Sequence, residues 1–109
     1  MEQLIKNMEA EVERCRELYE ENRHDSFLSF SASARFETTK DVLERLQCGE
    51  DPAELAYKLE RDIPRLEELI EHEYEYPTFD EYSPHSHYFI YCGRRDAHKA
   101  IIEIIRKSI

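Results

Sequence analysis

Apolar residues recur every three or four positions through most of the chain, the period of helices that bury one face. In the first stretch Leu4, Met8, Val12, Cys15 and Tyr19 step by four, four, three and four, with Ile5 and Leu18 beside them. Glutamates and arginines fill the other faces, so Glu2 to Arg23 reads as one amphipathic helix. At 1.5 Å per residue it would be roughly 33 Å long. Asn22, His24 and Asp25 close it.

Ser26 to Cys48 carries two patterns at once. Leu28, Phe30, Ala32, Ala34 and Phe36 alternate with Ser29, Ser31, Ser33 and Arg35, the period of a half-buried strand. Leu28, Ala32 and Phe36 also stand at helical spacing, which continues to Leu43 and Leu46, and Asp25 or Ser26 is placed to cap that helix. A strand needs a neighbour to satisfy its backbone groups, and residues 87–92 are the available one. Helix is the preferred reading and the strand pair its alternative. Gly49 then follows as a C′ residue.

Asp51-Pro52 marks the next helix start, with an N-cap carboxylate, proline at the first helical position and Glu54 in the first turn. Leu55, Leu59, Ile63, Leu66 and Ile70 form its buried stripe, with Leu69 alongside. Pro64 removes one backbone donor and crowds the turn before it, which predicts a kink or brief break near Arg61 to Ile63. Tyr76 to Ser83 reads as a loop, and Ser83-Pro84 begins a last helix running to about Lys107. Its apolar face holds Phe89, Gly93, Ala97, Ala100 and Ile104, with Ile101 and Ile105 on the next, and Gly93 and Ala97 would permit a close helix crossing. The alternative is a strand over Tyr88 to Cys92 and a helix capped by Asp96. These elements predict an all-α fold, a small four-helix bundle with a kinked third helix. Second stands an α+β fold with a two-stranded sheet from residues 27–36 and 87–92.

Composition narrows the class further. The 109 residues suit one domain with one core, and the two glycines are too few for the tight turns of a β-sandwich or barrel. Charged residues make up 37% of the chain, against about 25% in ordinary globular proteins. The net charge of −10 argues against direct binding to nucleic acid or an anionic membrane and favours a basic protein or a cation. The exception is the last stretch, residues 94–109, where five basic and two acidic side chains leave a net of +3. No signal peptide opens the chain, no apolar run approaches the ~20 residues of a membrane span, and three widely spaced cysteines do not suggest a disulfide framework. A cytoplasmic protein with reduced thiols is expected.

The most unusual chemistry runs from Glu67 to Tyr82. Glu67, Glu68, Glu71, Glu73, Glu75, Asp80 and Glu81 are interleaved with Tyr74, Tyr76, Phe79 and Tyr82, and no lysine or arginine interrupts them. Charge of one sign along a helix end and loop can mimic a nucleic-acid backbone, while aromatics supply contact area at low entropy cost. The functional expectation is a docking surface for a basic protein, including one that binds nucleic acid. The plain alternative is a solvated helix face whose tyrosines cover the end of the core. A cation site is a lesser option, because the ligand spacing of an EF-hand is absent.

A second candidate is the cluster Arg94, Arg95, His98 and Lys99 after Gly93. Near a helix N-terminus it could hold a phosphate, as in a nucleotide-binding protein; the bland reading has these cations pairing with the acid-rich third helix. His85, His87, Cys92 and His98 are potential zinc ligands, but H-x-H-x4-C-x5-H matches no zinc motif and no metal or other cofactor is implied. The first-helix stripe also suits a homodimer, although an ordinary bundle helix needs the same stripe. There is no G-x-S-x-G, H-E-x-x-H, Walker loop or C-x-x-C, and the di-iron spacing needs Glu-x-x-His where Leu69 precedes His72. The composite expectation is a non-enzymatic interaction protein, an inhibitor or adaptor.

Overall fold

The computed structural model describes residues 1–78 and 85–109. Four helices follow one another: α1 (Glu2–Asn22), α2 (Leu28–Gln47), α3 (Pro52–Glu75) and α4 (Ser86–Ser108). The fold is an all-α four-helix bundle, and no strand occurs among the described residues. The two-stranded sheet is therefore corrected: residues 28–36 lie within α2 and residues 87–92 within α4. The serine and alanine alternation that resembled a pleat instead keeps one side of α2 thin. A Cβ built on Gly93 would overlap the Ser31 carbonyl oxygen and come 3.1 Å from the Ala34 Cβ, so α4 crosses α2 almost backbone to backbone. Such proximity requires glycine on one helix and small residues on the other.

Local signals set the helix ends. Gly49, at φ +95°, closes α2 in the left-handed region that glycine enters freely. Its amide reaches the Leu46 carbonyl and the Glu50 amide reaches that of Arg45, the paired bonds of a Schellman end. Arg45 then grips Glu50 through two hydrogen bonds of 2.7 and 2.8 Å, and Lys58 adds a third at 3.2 Å. Three residues of turn later, the Asp51 carboxylate accepts from the Glu54 amide at 3.0 Å and Pro52 starts α3. At the other end, the Asp25 carboxylate accepts from the amides of Phe27 and Leu28 at 2.8 and 2.7 Å. Those two bonds hold its carboxyl below the ordinary aspartate range. α3 runs as continuous helix through Pro64, so of the kink or brief break expected near Arg61 to Ile63 the break does not occur. Packing of α3 against α4 outweighs one missing backbone bond.

α4 packs against both α2 and α3, while α1 lies against α2 and more lightly against α4. The helices alternate in direction, and α2 with α4 forms the close diagonal of a flattened bundle, 42 × 29 × 20 Å. Its aliphatic core gathers at the end where α1 and α3 begin and α2 and α4 finish. Leu4 and Met8 meet Val42, Leu43 and Leu46, Leu55, Ala56 and Leu59, and Ala97, Ile101, Ile102 and Ile105 there.

Several buried positions differ from the apolar stripes. On α1 the third buried residue is Glu11, not Val12, and it is only 7% exposed. Its carboxylate takes two hydrogen bonds from Arg14 at 2.7 and 2.8 Å, a longer one from Arg35 of α2 at 3.4 Å, and faces the Cys15 thiol at 3.6 Å. Cys15 also lies 3.8 Å from the Thr39 hydroxyl, so a polar seam joins α1 to α2. On α2, Leu28 is exposed and Thr39 is buried. On α4 the buried face turns toward Ala97, His98, Ile101, Ile102 and Ile105, leaving Ala100 and Ile104 partly exposed. Cys48 is the exposed C-cap of α2.

Candidate docking surface

The last three turns of α3 divide their residues cleanly. Leu66, Ile70 and Glu73 point inward, at i, i+4 and i+7, and Glu67, Glu68, Glu71, Tyr74 and Glu75 are left outside. Of the acid-rich stretch, Phe79, Asp80, Glu81 and Tyr82 lie outside the described residues.

Glu73 differs from its neighbours. It is 8% exposed and accepts from the Thr78 hydroxyl at 2.6 Å and the Thr78 amide at 2.8 Å. Burial pushes its carboxyl up, but the two Thr78 bonds, with His87 and His72 nearby, outweigh this and leave it below the ordinary glutamate range. Glu73 therefore belongs to the internal structure, fastening the chain after α3, and the sequence expectation that grouped it with docking carboxylates is refined accordingly. Its signal was present, three residues after Ile70 on the buried stripe.

The remaining carboxylates form the surface. Glu67 is 3.6 Å from Lys99 of α4, so one of the expected links between the basic helix and the acidic one exists. Among the described residues Glu68, Glu71 and Glu75 have no hydrogen-bond or ion-pair partner. Tyr74 and Tyr76 beside them are 75% and 67% exposed. Tyr76 leans on His72, with ring centres 5.6 Å apart. Tyr74 stands 6.2 Å from Tyr88, which meets Phe89 edge to face at 5.2 Å, and Phe89 stacks on Phe27 at 5.5 Å. Phe27 also touches His85, at 6.2 Å between ring centres. These contacts make a row of rings across the end of the bundle, from α3 over α4 to the start of α2.

Two clefts open along that row. A cavity of about 290 Å³ is lined by Phe27, Tyr74, His85, Tyr88 and Phe89. Next to it, a cleft of about 480 Å³ is lined by Glu67, Ile70, Glu71, Tyr74, Tyr88 and Arg95. Tyr74 and Tyr88 form the wall between them.

The cationic cluster of α4 is spread over three directions. Arg94 is exposed, lies 5.8 Å from the centre of the Tyr91 ring, and borders a groove shared with Phe30, Glu37 and Asp41 of α2. Arg95 pairs with Asp96 at 3.2 Å on the α3 side, where Lys99 meets Glu67. His98 is buried, its Nδ1 2.6 Å from the Arg94 carbonyl oxygen and its Nε2 3.4 Å from Asp62 of α3. Gly93 sits seven residues inside α4, so these side chains do not surround a helix N-terminus.

Among the described residues no three histidines, cysteines or carboxylates are grouped to hold a metal. His87 meets the Tyr91 ring edge to face, His98 is turned to Asp62, and Cys92 lies beside the Tyr88 phenol. Burial pushes the Cys15 and Cys92 thiols up, which keeps them protonated and weakly nucleophilic. Also among the described residues, no helix is long and apolar enough to cross a membrane. The chain matches no protein-family model, no characterised protein and no solved structure.

Proposed function

We propose that this protein is a non-enzymatic interaction protein, an inhibitor or adaptor, that docks the acidic and aromatic end of α3 onto a basic protein of the kind whose cationic face also meets nucleic acid. One observation carries the reading: Glu68, Glu71 and Glu75 stand exposed without counterions among the described residues, flanked by the exposed rings of Tyr74 and Tyr76. Elsewhere several carboxylates are neutralised locally, as Glu13 is by Arg16, Glu50 by Arg45 and Lys58, and Glu60 by Arg106, and what marks the α3 row is that its uncompensated carboxylates stand beside two exposed rings. A cationic partner would gain from an uncompensated row, since complementary potentials speed encounter and fix register.

The test is capture of basic proteins from host lysate by the tagged full chain, at low and high salt, beside a Glu68→Lys/Glu71→Lys/Glu75→Lys variant. A specific basic partner held at low salt, released at high salt and lost by the variant is the expected result. Equal capture by the variant overturns the proposal. Unchanged helicity in circular dichroism confirms that the substitutions spare the fold.

A further inference from the structure

Exposed apolar side chains are not scattered over this bundle. Leu18, Phe27, Leu28, Tyr74 and Tyr76 all lie at the end where α1 and α3 finish and α2 and α4 begin, while Tyr57 and the terminal Met1 and Ile109 lie elsewhere. Exposed apolar side chains gathered at one end of a charged protein point to a contact site. Here the patch is concave as well as apolar, because the rings of Phe27, Tyr74, Tyr88 and Phe89 border the 290 Å³ cavity. The wall formed by Tyr74 and Tyr88 has apolar rings on one side and Glu67 and Glu71 on the other.

The cleft beyond that wall is negative after its own cations are counted. Glu67 is met by Lys99 and Arg95 is met by Asp96, so Glu71 remains unneutralised, with Glu68 and Glu75 one turn away on α3. A cation entering there would find a carboxylate and the face of an exposed tyrosine together. Arginine suits both, since its flat guanidinium stacks on rings and forks onto carboxylates.

From this juxtaposition we infer that the recognition element of the basic partner is an apolar side chain next to an arginine. The apolar group enters the ring-lined cavity, and the guanidinium crosses the Tyr74 edge to Glu71. The inference rests on the docking reading above and specifies its ligand. It assigns contact energy to the cavity and direction to the charge, whereas an acidic face alone would accept any cationic surface.

The experiment is a two-dimensional NMR titration of the full chain with three short synthetic peptides. The parent holds leucine followed by arginine in a glycine-serine frame. The second replaces the leucine by serine, and the third replaces the arginine by its neutral isostere citrulline. The parent is expected to shift Tyr74, Tyr88 and Phe89 ring signals together with the Glu71 amide. Losing the leucine should weaken binding by about tenfold or more, the scale set by burying one leucine, and losing the guanidinium by about fivefold, the scale of an exposed ion pair and ring contact. Tyr74→Ala, at an exposed position that costs the fold little, should lose the parent peptide to the same degree. Equal binding of the serine peptide, or retention by Tyr74→Ala, overturns the cavity inference and leaves charge docking in place. Equal binding of the citrulline peptide, or no shifts with any peptide, overturns both.

Discussion

The two ends of this bundle are built from the same four helices and spend their side chains differently. At one end Leu4, Met8, Val42, Leu46, Leu55, Ile101 and Ile105 are almost wholly buried, and the connection between α2 and α3 is a short turn locked by Gly49, Glu50 and Asp51. At the other, aromatic rings stack while remaining partly in solvent, and Glu68, Glu71 and Glu75 nearby are uncompensated among the described residues. On the docking proposal, stability and recognition are thereby separated along one axis. The aliphatic end supplies the main cluster of buried side chains, and the aromatic end presents flat, polarisable surface.

Substitutions at the two ends should then diverge, and the largest effect belongs to the aliphatic end. Leu55→Ala empties a fully buried site and should cost about 2–5 kcal/mol in urea unfolding, with partner capture unchanged in the protein that remains folded. A cost under 1 kcal/mol would show that the end is not the anchor. Gly93→Ala, at the crossing between the two ends, drives a methyl group into the Ser31 carbonyl and should cost about 1–3 kcal/mol. Its signature is altered ring signals for Phe27 and Phe89, because separating α4 from α2 opens their stack.

The smallest expected effect is a pH slope from the aromatic end. The carboxyls of Asp25 and Glu73 sit below their ordinary ranges in the fold, so the unfolded chain binds these protons more readily. Their stabilisation is complete above the unfolded carboxylate range near pH 4 and is lost as pH falls through the lower folded values. Thermal midpoints should therefore drop between about pH 5 and 3. Asp25→Asn and Glu73→Gln should each flatten that slope, and a slope identical to the parent would remove the residue from the account.

Much of the architecture was legible in the periodicity. The span of α1, the cap and proline that start α3, the glycine that ends α2 and the glycine crossing in α4 follow from local rules that tertiary packing reinforces. Glu11 and Glu73 escaped because a carboxylate on an apolar stripe is read as the edge of the wet face. Arg14 is a local partner one turn along α1, but only the fold supplies Arg35 for the first and the turn after α3 Thr78 for the second, which make their burial tolerable. For the same reason the acidic face of α3 could be read from sequence, but the row of rings beside it could not. Phe27, Tyr74 and Phe89 are far apart in the chain, and only the antiparallel return of α4 brings them into line.

That row of rings also determines how the molecule can be watched. The chain has seven tyrosines and no tryptophan, so its ultraviolet emission comes from phenol rings alone. Tyr74 and Tyr88 line both clefts, close enough to pass excitation to a tryptophan brought in by another protein. Quenched tyrosine light and sensitised tryptophan light would then report arrival at that end, with no label attached to either molecule.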